Sequence, residues 1–243
     1  MTQSYDVEAH SIGRSLFLHL APGVANISAT ILGLSVLWNP SLPPALIYGV
    51  FTNLIALIPI QLGYLYYLAK KRGNTGWSLE GIVVLTRPIN LWKNIFWVMV
   101  ILLATVVIFA AFQPITDIIR QATPFDIFTR FSSIDGSSTS TVILAVNIFL
   151  TALIVPITEE IYFRGFLLPR MPTQLGKGKP VAHSFLFSLY HFDTPWMIPV
   201  RTFGLLPLIY VALHKKNVRP GIISHCLVNL ADFAEAISSR VRS

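Results

Sequence analysis

The chain has 243 residues, of which 53% are hydrophobic and only 12% are Asp, Glu, Lys or Arg, about half the ~25% charge of a soluble domain. So few charged side chains cannot cover a water-exposed surface, which excludes a soluble enzyme, a nucleic-acid-binding domain and a disordered tail. The net charge of +7 therefore has to be read loop by loop, and the single cysteine, Cys226, leaves no intrachain disulfide.

Three stretches, residues 15–69, 94–116 and 136–158, contain no Asp, Glu, Lys or Arg at all, and each exceeds the ~20 apolar residues that span a bilayer. The first 14 residues are polar, with Asp6 and Glu8, and lack the basic region and short apolar core of a secretory signal. Insertion is expected to be driven by the first helix. Spans are predicted near Leu16 to Trp38, Ala45 to Ala69 and Ile95 to Phe112, with the turn Asn39 to Pro44 between the first two. A long helix is predicted from Thr141 to Leu168, then three shorter apolar segments near Val181 to Phe192, Thr202 to Leu213 and Gly221 to Ile237. The expected fold is an all-α polytopic transmembrane bundle of about seven to eight helices forming a single membrane domain. Residues 1–140 are its scaffold and residues 141–238 a four-helix core that carries the chemistry.

Lys and Arg mark cytoplasmic loops. Lys70, Lys71, Arg72, Arg87 and Lys93 outweigh Glu80, whereas Arg120 and Arg130 face Asp117, Asp126 and Asp135 in the next connection. Arg170, Lys177 and Lys179, then Lys215, Lys216 and Arg219, continue the alternation, so seven spans with a cytoplasmic N-terminus satisfy every internal loop. Arg240 and Arg242 at the tail disagree with it, and an eighth crossing or a re-entrant segment would remove the conflict.

Charge inside a bilayer helix is costly and marks function by default. Glu159, Glu160 and Arg164 stand together in the long helix, after Pro156. Glu160 and Arg164 are four apart and can pair on one face, whereas Glu159 points about 100° away and has no local partner. In an α-helix Pro156 also frees the carbonyl of Ala152, polar backbone that a wet cavity tolerates. Phe187 and His191 share a helix face at a spacing of four, as do His225 and Asn229. Counting ~1.5 Å per residue from the nearest basic or proline boundary puts Glu159, His191 and His225 about 16, 16 and 9 Å deep. They thus converge within the membrane, towards its cytoplasmic side. A buried carboxylate at Glu159 can take a proton from water that His191 orients, while His225 and the Asn229 amide donate to an oxyanion. The same atoms admit a second chemistry, zinc or another divalent metal held by Glu159, His191 and His225. No cofactor is firmly implied, and asparagine suits the oxyanion role better than metal.

These residues resemble the CPBP family of intramembrane proteases, which includes the CAAX-prenyl endopeptidase and Abi-like proteins linked to bacteriocin immunity. Three motifs occur in order: E-E-x-x-x-R as Glu159, Glu160 and Arg164; F-x-x-x-H as Phe187 and His191; H-x-x-x-N as His225 and Asn229. The resemblance implies an endopeptidase in which Glu159 and His191 activate water, His225 and Asn229 bind the oxyanion, and Glu160, Arg164 and Phe187 support them. It implies as partners membrane lipids and a membrane-embedded or lipidated protein substrate. The sequence departs from the family between the second and third motifs, where Gly204, Pro207 and Asn217 to Gly221 replace several glycines and a Thr-Gly turn. The competing functions are an ion- or proton-coupled transporter and a non-catalytic toxin-immunity scaffold. The remaining polar groups carry plain expectations. His19 and Asn53 should link helices, His183, His214 and Arg201 should lie at helix ends, and Cys226 should be inert. Tyr64, Tyr66, Tyr67, Trp92 and Trp97 should form interfacial belts.

Overall fold

The computed structural model describes residues 7–37, 47–123, 141–234 and 238. The expected turn at Asn39 to Pro44, the loop beyond Thr123 and the Arg240/Arg242 tail lie outside them. Among the described residues there are seven helices and only two isolated β-bridges, Glu80 to Val83 and Thr86 to Asn217. The chain is an all-α, polytopic helical bundle.

Helix α1 is Ile12–Leu37. Helix α2 starts as a π-helix, Ile47–Leu57, and continues as the α-helix Ile58–Lys71. Helix α3, Leu91–Ala122, starts where the Asn90 side chain accepts from the Trp92 backbone N–H at 2.9 Å, which fills one of the donors a helix start leaves open. Its 32 residues amount to ~48 Å, well beyond the ~30 Å hydrocarbon layer. Helix α4 changes register repeatedly: α over Thr141–Asn147, π over Ile148–Ile154, α over Val155–Glu159, π over Glu160–Leu167 and a last 3₁₀ turn, Leu168–Arg170. Helix α5 is Lys179–Tyr190; α6 comprises Ile198–Gly204 and Leu206–Lys215; α7 is Arg219–Asp232.

Five of these helices are long and apolar enough to cross a membrane: Ile12–Gly33, Gly49–Lys71, Leu91–Ala122, Thr141–Arg170 and Pro195–Lys215. Large apolar side chains such as Phe17, Leu103, Val107 and Phe149 are exposed on them, as lipid contact requires. This is an integral membrane protein. Helix α5, with 12 residues, reaches only ~18 Å, and its C-cap, His191, leaves the helix at ψ 67°. That histidine therefore stands at the end of a half-length helix.

Helix α4 is the shared wall of two apolar cores. On one side Phe163, Phe166 and Leu167 pack with Leu18 of α1, Leu65 of α2 and Phe187 of α5. On the other, Leu168 packs with Ile101 of α3 and Leu208 and Ile209 of α6. Polar ties join scaffold to core as well: the Tyr162 hydroxyl donates to the Leu18 carbonyl at 2.8 Å, and His19 Nε2 lies 2.9 Å from His183 Nδ1. His19 is the interhelical partner expected. His183 differs from expectation: it is fully buried and faces α1, because α1 covers the start of α5. Asn53 also differs, since its amide donates to Gly49 of its own helix at 2.5 Å.

One end of the bundle is bound together by main-chain hydrogen bonds. The His10 N–H donates to the Arg170 carbonyl at 2.8 Å. Between α2 and α3 the chain forms a strap across the ends of α4, α6 and α7. Val84 N–H donates to Gly165 at 3.2 Å, Arg87 N–H to Lys216 at 2.9 Å, and Val218 N–H to Leu85 at 3.0 Å. The segment before α1 and the basic connections α2–α3, α4–α5 and α6–α7 thus share one end.

Candidate active site

The site is built on α4, and its register decides which backbone groups are free. Val155 N–H bonds the Leu150 carbonyl, five residues back. Pro156 follows and has no N–H, so in this π register the carbonyl left without a helical partner is Thr151, not the Ala152 expected for an α-helix. The Asn229 amide of α7 fills the vacancy, donating to Thr151 at 3.0 Å. One turn further, Cys226 Sγ lies 3.8 Å from the Leu153 carbonyl. The proline is therefore a docking point for the helix that carries the third motif.

Glu160 and Arg164 form the expected i, i+4 pair, with Nη1 to Oε1 3.3 Å apart and both side chains fully buried. A buried ion pair needs further partners to offset its desolvation. Arg164 lies flat over Phe187, its guanidinium carbon 3.8 Å from the ring centre, which gives the second motif's phenylalanine a cation–π role. Glu160 Oε1 also lies 3.0 Å from His225 Nδ1. Helix α7 approaches this closely because Gly221 faces Glu160; a Cβ there would stand 3.0 Å from Oε2.

Glu159 does have a partner, though it comes from another helix. Tyr190 donates its hydroxyl to the Glu159 carboxylate, and His225 Nε2 lies 3.7 Å from Glu159 Oε2. A single imidazole thus stands between two carboxylates that are adjacent in sequence, one at each ring nitrogen. His191 Nδ1 lies 2.9 Å from the Phe187 carbonyl. A carbonyl only accepts, so that nitrogen carries the proton and Nε2 presents a lone pair. The His191 ring packs on Phe187 and on Tyr190, centroids 5.0 and 4.0 Å apart, so its link to Glu159 runs through Tyr190. Asn229 lies along α7 from His225, facing Thr151.

The structure therefore brings Glu159, Glu160, Arg164, Phe187 and His225 into direct contact. It sets His191 and Asn229 at the cluster's two flanks. Tyr190 is the residue of this cluster that sequence reasoning missed; its only signal was a hydroxyl in the interior of an apolar helix, where a partner is needed. For a metal the fit is poor. Among the described residues no group of three or more His, Cys, Asp or Glu is placed to hold an ion. His191 meets Glu159 only through Tyr190, so the zinc set of Glu159, His191 and His225 is not assembled.

Residues 139–231 match the family model described as type II CAAX prenyl endopeptidase Rce1-like. The matched segment contains all three motifs. Comparisons with curated proteins and with solved structures gave no match.

Proposed function

We propose that this chain, whose residues 139–231 match the type II CAAX prenyl endopeptidase Rce1-like family model, hydrolyses a peptide bond of a lipidated or membrane-embedded protein within the bilayer. The observation that carries the reading is the buried cluster in which Glu159, Tyr190 and His225 meet beside the Glu160–Arg164 pair. Glu159 and the free Nε2 of His191 share a water molecule, and Glu159 takes its proton as the oxygen attacks the scissile carbonyl. A carboxylate oxygen accepts, and His225 faces one at each ring nitrogen, so both nitrogens act as donors. With Nδ1–H on Glu160, the Nε2–H of His225 is directed at the Glu159 side, where the oxyanion develops. Asn229 spends one amide hydrogen on Thr151, which fixes the side chain, and keeps the second for the same oxygen. Glu160 and Arg164 hold His225 and make no contact with substrate.

We propose further that the tied end, with the N-terminus, faces the cytoplasm and that Glu159 lies within the membrane towards that side; the basic connections gathered at that end support this orientation. The test uses purified protein in detergent and a prenylated C-terminal peptide with its unprenylated counterpart. Glu159→Gln is expected to lower the cleavage rate by about 100-fold or more, the scale of a lost general base, with helical content and monodispersity unchanged. Normal cleavage by Glu159→Gln would sink the assignment. Equal cleavage of both peptides would remove the lipid from substrate recognition.

A further inference from the structure

Away from the catalytic cluster, arginines from three helix ends meet at the tied end of the bundle. Arg14 lies in the first turn of α1, Arg72 just beyond α2, and Arg170 ends α4. Arg72 Nη1 and Arg170 Nη2 donate to the same carbonyl, that of Gly81 in the strap, at 3.1 and 3.4 Å. The strap presents this carbonyl because Gly81 has φ +70°, and a Cβ at that position would collide with the Arg72 guanidinium. Arg170 rests on the Phe166 ring at 4.4 Å, Tyr64 sets its edge on that ring at 5.9 Å, and the Tyr64 hydroxyl accepts from Arg14 at 3.4 Å.

These partners are carbonyls, a phenol and a ring. They satisfy N–H groups and leave the charge uncompensated. Among the described residues no ion pair joins Arg14, Arg72 or Arg170 to a carboxylate. A second observation points to a ligand. His10 is 7% exposed, its ring stands edge-on to Phe166 with centroids 5.6 Å apart, and its Nδ1 has no hydrogen-bond partner. Burial, then Arg14 and Arg170, lowers its pKa to about 4, so it stays a neutral imidazole, and with the proton on Nδ1 it has an N–H to offer a phosphate oxygen. Exposed aromatic residues lie on the same segments, α2 and the strap: Trp77 and Tyr67 are 85% and 60% exposed, and Tyr66 lies tilted against Trp77, ring centroids 4.8 Å apart, beneath Lys70. Such rings sit at headgroup level.

We infer that Arg14, Arg72 and His10 form a site for the phosphate of an anionic phospholipid headgroup, with Arg170 held behind them by the strap. Arg14 and Arg72 are exposed and supply the direct contacts, whereas Arg170 is largely buried and contributes its field. The site is independent of the peptidase reading, and its test involves no proteolysis.

The experiment is native mass spectrometry of the full chain released from micelles containing phosphatidylglycerol, with phosphatidylcholine and inorganic phosphate as separate arms. The wild type is expected to retain one phosphatidylglycerol. Arg14→Gln with Arg72→Gln is expected to weaken retention by about 30-fold, from about fivefold per arginine near an anionic surface. Lys177→Gln with Lys179→Gln, which removes the same charge on the neighbouring connection, is expected to retain it. Equal loss in both double variants, or none in the arginine pair, would overturn the site. Equal retention of phosphatidylcholine would show that charge is not read. Inorganic phosphate displacing the lipid at millimolar concentration would reassign the site to a soluble anion. Unchanged melting of the lipid-free arginine variant shows that loss of retention is not loss of fold.

Discussion

Tyr190 lies between the two residues of the F-x-x-x-H motif, yet it is the side chain that bonds Glu159. Removing its hydroxyl leaves a buried carboxylate short of one donor, and a hydrogen bond to a charged group is worth about 1.5–3 kcal/mol. Tyr190→Phe is therefore expected to lower kcat by about 10- to 100-fold with KM little changed and the helical spectrum intact. A wild-type kcat would mean that the bond does not serve the reaction. The charged residues of this cluster were legible in the sequence because charge is rare in an apolar helix and stands out by contrast. Tyr190 was not, since an aromatic side chain there reads as packing. Spacing set position 159 off the Glu160–Arg164 face without a local partner, but a neighbour from another helix leaves no trace in local spacing.

Helix α4 shows what element-level reading reaches. Its start, its length and the importance of Pro156 follow from hydropathy and from the missing N–H. The carbonyl that Pro156 releases depends on whether the helix winds with four- or five-residue hydrogen bonds, and that choice is made by packing. Pro156→Ala restores an N–H that competes with the Asn229 amide for the Thr151 carbonyl. Helix interiors gain up to about 3 kcal/mol when a proline is removed, so the variant is expected to melt at the same or a higher temperature. Its kcat/KM is expected to fall about tenfold as Asn229 loses its fixed orientation, part of what a lost oxyanion donor costs. Thermal unfolding and peptide cleavage on one preparation separate the two effects. Reduced stability with normal cleavage would show that Asn229 does not depend on this proline.

Across the whole molecule, the segment that matches the family model begins at residue 139, but its polar groups are completed from outside it. Tyr162 bonds Leu18, His183 faces His19, and the Gly165 carbonyl takes Val84. Left unpaired, each buried group costs about 1–3 kcal/mol, in addition to the exposed apolar face of α4. Residues 139–243 produced alone are expected to aggregate in detergent and to lack activity, and co-production with residues 1–138 is expected to restore a monodisperse, cleaving complex. A well-folded, active fragment would show the first three helices to be dispensable. The overall architecture was legible because uncharged stretches and basic loops are read directly from composition. The strap was not, because its ties are backbone to backbone and no side-chain pattern announces them.

The Ser15 carbonyl, 2.7 Å from His19 Nδ1, offers only a lone pair. His19 must therefore keep its proton on Nδ1, which leaves Nε2 as an acceptor and obliges His183 to place its own proton on the Nδ1 that faces it. The remaining nitrogen of His183, buried and without a partner, is then an acceptor turned towards the protein interior. One peptide group at the first turn of α1 thus dictates the tautomers of two imidazoles on two helices. It gives the pair a fixed direction, from donor in the core to acceptor at the membrane edge, which nitrogen chemical shifts of the two rings would report.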